Sequence, residues 1–324
     1  MQRHKQWLID GLCGWKNRPL KRYLHNSRIE LVDVGARGGL EPRWESIRDY
    51  VEAFTFEPDE SSCQELEKLE YIKQSFPVGL GLSEGTCSFN VCRAPSVSSL
   101  LEPDTVFLSR FPNQNRFDVI SRRKMTLTTL DRCLCDHQES FDFIKIDTQG
   151  TELDILRGGG ELLKSNIVGL EIEVEFLSIY RDQSLFGDVC AYLKPMGYEF
   201  VDFANIYRWE RKQFTDFGQT MFADALFVRS PETFATILKE VSRDVAREKA
   251  KKYVAIVALY DHIDLLPICE SEFRSFLDGE DAKAIGVLHR ALSRQRRKSL
   301  ALLHIMNRFV FRWLGIRAFP LQIS

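Results

Sequence analysis

Three acids, each closing an apolar stretch, carry the chemistry this sequence offers: Asp33, Glu57 and Asp147. Asp33 lies in Ile29–Gly39, where the β-branched run Leu31–Val34 breaks into Gly35, Gly38 and Gly39. Such a run predicts a buried strand, and glycines after it let backbone N–H groups approach a small ligand. The spacing Asp-x-Gly-x-x-x-Gly is looser than the dinucleotide pattern Gly-x-Gly-x-x-Gly. An acid two residues before the first glycine suits a ligand with a cationic amino group, such as S-adenosylmethionine (SAM), better than a pyrophosphate. Glu57 ends the second predicted strand, Ala53–Glu57, 24 positions after Asp33. That is the region where nucleoside-binding α/β folds place an acid on ribose hydroxyls. Asp147 ends the strand predicted over Phe141–Ile146 and runs into Thr148-Gln149-Gly150. Within the strand Ile167–Phe176, Glu171, Glu173 and Glu175 alternate with Ile172 and Val174, which puts three carboxylates on one face. That row either lines the same crevice or faces solvent. None of the six histidines falls in a motif, so carboxylates are the candidates for proton transfer, and without His they make a weak case for a metal.

The elements that must position these acids alternate along the chain. A helix is predicted over Glu41–Ala53 and a surface helix over Asp59–Glu70. Two short strands flank Ser83-Glu84-Gly85 within Pro77–Val91, and Lys124–Leu130 is a further strand leading into a short helix. Ala94–Asp118 is rich in Pro and Ser, and a loop that long in a compact domain is expected to be a lid or binding loop. Helices over Glu152–Lys164 and Asp188–Met196 and strands over Tyr198–Phe203 and Ala223–Val228 complete a doubly wound α/β sheet with a hairpin-like end. Ligands in such sheets sit outside the carboxyl ends of the strands, so Asp33, Glu57 and Asp147 point to one crevice. From Pro231 the β signal stops. Helices are expected over Glu232–Leu266 and Glu270–Leu314, broken near Asp261–Pro267. This divides the chain into a basic arm (1–28), an α/β domain (29–230) and a helical, basic extension (231–324).

An apolar content of 44% and a charged content of 28% are those of an ordinary globular protein. The formal net charge of −2 hides its distribution. Residues 282–324 carry nine Lys or Arg and no acid, and the first 28 residues carry seven against Asp10 alone. Both ends suggest surfaces that meet something anionic. Ala301, His304, Arg308 and Arg312 form a stripe beside a broad aliphatic and aromatic face. A helix of this kind suits an anionic membrane surface; packing onto the catalytic domain or a second copy in a homo-oligomer is the alternative. No nucleic-acid-binding module accompanies the charge. Trp7, Leu8, Leu12, Trp15, Tyr23 and Leu24 in the arm are expected to cover a domain edge. Eight cysteines without a Cys-x-x-Cys pair read as reduced thiols, and neither a secretory signal nor a membrane-spanning run is evident. A cytoplasmic protein, peripheral at the inner membrane surface, is the expectation.

Taken in order, several segments resemble the FkbM-type SAM-dependent methyltransferases. These are Asp33–Gly39, Phe56-Glu57-Pro58, Ser98-Ser99-Leu100, Thr129-Leu130-Asp131, Asp142–Glu152 and Glu173-Val174-Glu175-Phe176, followed by Tyr180, Gln183–Phe186 and Asp188-Val189. The resemblance spans roughly residues 29 to 229 and implies a class I methyltransferase fold, Rossmann-like, with seven strands and the last antiparallel. It also implies SAM as cofactor and O-methylation of a hydroxyl, on a sugar, glycolipid or polyketide-like acceptor. It assigns Asp33, Gly35, Arg37 and Gly39 to the SAM loop and Glu57 to the ribose. Family members often carry Ala-Leu-Ser-Asp where this chain has Gly79-Leu80-Gly81-Leu82, so the adenine contact falls to backbone groups around Gly81 and Leu82. Asp147 is the first candidate for the base that takes the hydroxyl proton and Glu173 the second; the rival reading makes Asp147 a SAM or structural ligand. A non-catalytic membrane- or protein-binding adaptor on the same scaffold is the alternative, and an NAD-dependent oxidoreductase is disfavoured by the glycine spacing.

Overall fold

The computed structural model describes residues 17–135, 141–211 and 218–313, with side chains of the last helix described to Lys298. The arm residues Trp7, Leu8, Leu12 and Trp15 and the stripe Ala301, His304, Arg308 and Arg312 lie outside the described side chains.

Ten strands follow in chain order: β1 (Ile29–Val34), β2 (Val51–Phe56), β3 (Ile72–Phe76), β4 (Gly79–Leu80), β5 (Gly85–Cys92), β6 (Val119–Thr128), β7 (Phe143–Ile146), β8 (Gly169–Glu175), β9 (Tyr198–Trp209) and β10 (Gln219–Arg229). Seven of them form one sheet in the order β3-β2-β1-β7-β8-β10-β9. β10, last in the chain, inserts between β8 and β9 and runs antiparallel to both, while β3, β2, β1, β7 and β8 are mutually parallel. This is the class I methyltransferase order with its reversed last strand. β4, β6 and β5 form a separate small sheet. The two short strands expected within Pro77–Val91 therefore do not pair with each other; each pairs with β6, which is longer than its apolar signal.

Each face of the large sheet buries its own core. Val32, Val34, Ile144, Ile146, Ile172 and Val174 point to one side, under the helices Glu152–Gly158 and Phe186–Leu193. Leu31, Phe143, Leu226 and Val228 point to the other, where they meet Trp44 and the helices that follow β10. The expected helix Glu152–Lys164 is broken at Gly159 into Glu152–Gly158 and Gly160–Lys164. The helix expected over Glu41–Ala53 shrinks to Pro42–Glu45 and a 3₁₀ turn at Arg48–Tyr50, because Val51 already belongs to β2.

After β10 the described residues form four α-helices rather than two: Pro231–Leu238, Arg243–Leu259, Leu266–Glu272 and Gly279–Trp313. Ser242 caps the second by accepting from Val245 N at 3.4 Å, and Pro267 sits in the first turn of the third. Their apolar faces share one cluster with the helix Arg18–Tyr23 and with β1 and β2. No described helix is long and apolar enough to cross a membrane.

Candidate active site

The carboxyl ends of β1, β2 and β7 meet at a loop that only glycine can form. Gly35 has φ +81°, and a Cβ there would lie 1.9 Å from the carbonyl oxygen of Asp147. The same loop is pinned on both flanks: Gly35 N donates to Phe56 O at 2.9 Å and Asp147 N donates to Val34 O at 3.0 Å. Asp33, Glu57 and Asp147 are thereby brought to one edge of the sheet. Gly38, also at positive φ, has nothing within 4 Å of a notional Cβ, so its backbone borders open space. Gly39 is backed by the Tyr71 hydroxyl, 2.8 Å from such a Cβ.

Asp33 is buried, and burial pushes its carboxyl up to about 6 even though the Lys145 cation draws it down. Its Oδ1 is 3.8 Å from Lys145 Nζ and accepts no hydrogen bond. Lys145 is paired across strands with Asp33 on one side and Glu171 on the other, and its Nζ is 3.3 Å from Glu41. Burial works against that cation, but Asp33, Asp147, Glu41 and Glu171 more than offset it and hold its pKa above the ordinary value. Glu57 is buried at the end of β2, where Oε1 accepts from Asp59 N at 2.9 Å; burial raises its carboxyl despite that bond. Arg37 is exposed and acts on both Glu57 and Asp59 through its charge.

Beyond Asp147 the chain turns through Gln149, a non-glycine residue at φ 62°. Gln149 Nε2 donates to Asp147 Oδ1 at 3.1 Å and to Glu173 Oε1 at 2.8 Å, joining the two candidate bases through one amide. The turn is held from outside by Ser99, whose hydroxyl donates to Gln149 O at 2.7 Å. Glu152 holds it from inside, accepting from the backbone N–H groups of Thr148 (2.8 Å) and Gly150 (3.0 Å). Glu171, Glu173 and Glu175 are all buried, so their shared face is not a solvated row. Burial first, then the charge of Asp147, holds Glu173 well above the usual carboxylate range. Asp224, opposite Glu173 on β10, is pushed by burial to about 6 while Asn205 and Tyr207 donate to it.

A cleft of about 420 Å³ opens between the loop that follows β5 and the end of β9. Its walls are aromatic: Phe111 and Phe117 lie 5.4 and 5.9 Å from Trp209, with the Arg116 guanidinium 4.7 Å over the Trp209 ring. Phe117 packs on Tyr180, whose hydroxyl lies 3.4 Å from Gln149 Oε1. The second half of Ala94–Asp118 is thus one wall of this cleft.

Gly81 and Leu82 stand elsewhere in the network. Gly81 N donates to Thr128 O at 3.0 Å, its carbonyl lies against Gly158, and the Leu82 side chain is exposed. Sequence reasoning passed over Lys145, Gln149, Asp224 and Glu41 as individual residues. Only Gln149 and Lys145 had a signal, their place inside the Asp142–Glu152 segment.

The residues fit SAM. An orphaned, buried Asp33 oxygen at the strand tip suits an amino-group donor, and the open backbone at Gly38 leaves room beside it. Asp33 and Asp147, the two acids that act most strongly on Lys145, favour a cationic ligand at the strand tips and disfavour a pyrophosphate. Among the described residues no group of three or more His, Cys, Asp or Glu is arranged to hold a metal ion.

A family model described as the Methyltransferase FkbM domain matches residues 33–200, more than half of the chain. Among solved structures, a Streptococcus pneumoniae protein, Sp1610, proposed to be a tRNA (m1A22) methyltransferase, is similar at 15% identity and a TM-score of 0.32. The match covers 84% of this chain and 98% of that one. No curated protein matches.

Proposed function

The chain belongs to the FkbM methyltransferase family, and on that premise we propose that it methylates a hydroxyl of a sugar, in a glycan or glycolipid, with SAM as donor. The observation that carries this is Gln149, hydrogen-bonded to both Asp147 and Glu173 and linked through Tyr180 and Phe117 to an aromatic cleft. When bound, SAM supplies a methyl group on a cationic sulfur that a hydroxyl oxygen can displace.

This chain's residues do the rest. Asp33 receives the amino group, and Glu57, with Oε1 committed to Asp59 N, offers its other oxygen to a ribose hydroxyl. With Gly81 N committed to Thr128 O, Leu82 remains the backbone candidate for the adenine, and Arg37 and Gly39 complete the loop. Asp147 takes the proton of the acceptor hydroxyl. Glu173 is held neutral by burial and, through Gln149, fixes the direction of Asp147 rather than competing with it. The aromatic walls around Trp209 suit the C–H faces of a sugar ring, whose position relative to Asp147 sets much of the rate.

Incubation with labelled SAM and fractionated cell glycans tests the reading. The wild-type chain is expected to label a glycan fraction. Asp147→Asn should lose roughly a hundredfold or more of that rate, whereas Glu173→Gln, which mimics the neutral acid, should stay within about tenfold. Label confined to protein or RNA would refute the sugar, and full activity in Asp147→Asn would refute the base.

A further inference from the structure

The helix Arg18–Tyr23 packs along the helix Gly279–Trp313, and between them runs a groove of about 450 Å³. Four cations rim it: Arg18 and Arg22 from the first helix, Arg294 and Lys298 from the second. All four side chains are exposed, and none forms an ion pair with an acid among the described residues. The floor is apolar, with Leu288 buried and Val287 exposed over more than half its surface. Cations converging on an apolar slot are not what solvation alone selects, because like charges repel and an exposed apolar floor costs free energy in water.

We infer that this groove seats the headgroup and upper chain of an anionic phospholipid, and that the chain docks through it on an anionic membrane surface. The phosphate pairs with the rim and the glycerol and first methylenes cover the floor. Charge decides between occupants. A second copy of this chain would bring the same four cations against them. Residues 1–16 carry Arg3, Lys5 and Lys16 against Asp10 alone, so they too are mismatched. The helix carries the same sign onward: from Ala282 to Trp313 it holds eight Lys or Arg and no acid. The described cations of that helix, Lys283, Arg290, Arg294, Arg296, Arg297 and Lys298, are all exposed, so the groove opens on a basic surface rather than an isolated patch.

Sedimentation of the full chain with vesicles tests this. One preparation is phosphatidylcholine alone, the other contains phosphatidylglycerol as well. Binding is expected only to the anionic vesicles, and Arg22→Gln/Arg294→Gln should weaken it by about tenfold or more. The control Arg123→Gln/Lys124→Gln removes equal charge from exposed positions on β6 and should leave binding unchanged. Because all four positions are exposed, unfolding temperatures should stay at the wild-type value and separate lost binding from lost fold. Equal sedimentation with neutral vesicles, no sedimentation with either, or equal loss in the control would overturn the inference. So would a solution dimer that Arg22→Gln/Arg294→Gln dissociates in the absence of lipid binding.

Discussion

Glu171 shows what burying an acid on this sheet costs in stability. It receives the Tyr260 hydroxyl, yet burial, reinforced by Glu41, holds its carboxyl up at about 8 against an ordinary 4.5. The folded chain therefore keeps a proton that the unfolded chain releases across that window. A raised acid costs nothing below about pH 4.5, and its penalty grows until pH passes about 8. Glu171→Gln is neutral throughout and can still accept from Tyr260. Its unfolding free energy relative to wild type should rise between about pH 5 and about pH 8, then level off. Urea melts of both chains at about pH 5, 7 and 9 measure the gap, and a gap that shrinks with pH would be inconsistent with a buried, protonated Glu171. The alternation of Glu171, Glu173 and Glu175 was enough to give them one face. It could not say whether that face is wet, because wetness depends on what covers β8, and the cover comes from residues far along the chain. Tyr260 lies 89 positions from Glu171, and Glu41 lies 104 positions from Lys145, so neither pairing leaves a local signal.

Among the elements, the helices after β10 are part of the wall of the catalytic sheet. Trp44 Nε1 donates to the Tyr260 hydroxyl at 3.2 Å, and Phe143 on β7 lies 5.3 Å from Trp44 and 5.4 Å from Tyr260. At the far end of β7, Lys249 and Lys252 each reach the buried Asp142 at 2.8 Å. Removing these helices would expose Leu31, Phe143 and Trp44 and leave Asp142 without its cations, a cost of several kcal/mol at least. A chain ending at residue 230 is expected to lack a cooperative unfolding transition. A sharp thermal transition in that fragment, with native-like near-ultraviolet dichroism, would mean that the α/β domain stands alone. β1 and β7 were legible because apolar runs end in glycine turns. β3 was not, since Ile72–Phe76 is a partly exposed edge strand carrying Lys73 and Gln74. The overlong helix at Glu41–Ala53 has a specific origin. Trp44, Ile47 and Val51 recur at helical spacing and reach the same core, but Val51 does so from β2.

On the scale of the whole molecule, charge is sorted by place. Several acids gather at the carboxyl edge of the sheet around Lys145, while Arg18, Arg22, Arg294 and Lys298 lie along one groove. The sequence order already carried that sorting, in its basic ends and acidic middle, as it carried the strand tips that make the crevice. It did not carry the aromatic cleft, which needs Phe111 and Phe117 from one loop to meet Trp209 from β9. Nor did it reveal the three-residue contact through Gln149. A donor site for SAM formed by Asp33, the Gly35 loop and Glu57 is open to calorimetric titration of the full chain with SAM. Saturable binding is expected at one site per chain, about tenfold or more weaker in Asp33→Asn, retained in Asp147→Asn, and absent with NAD. No binding of SAM by the wild-type chain, or equal affinity in Asp33→Asn, would contradict it.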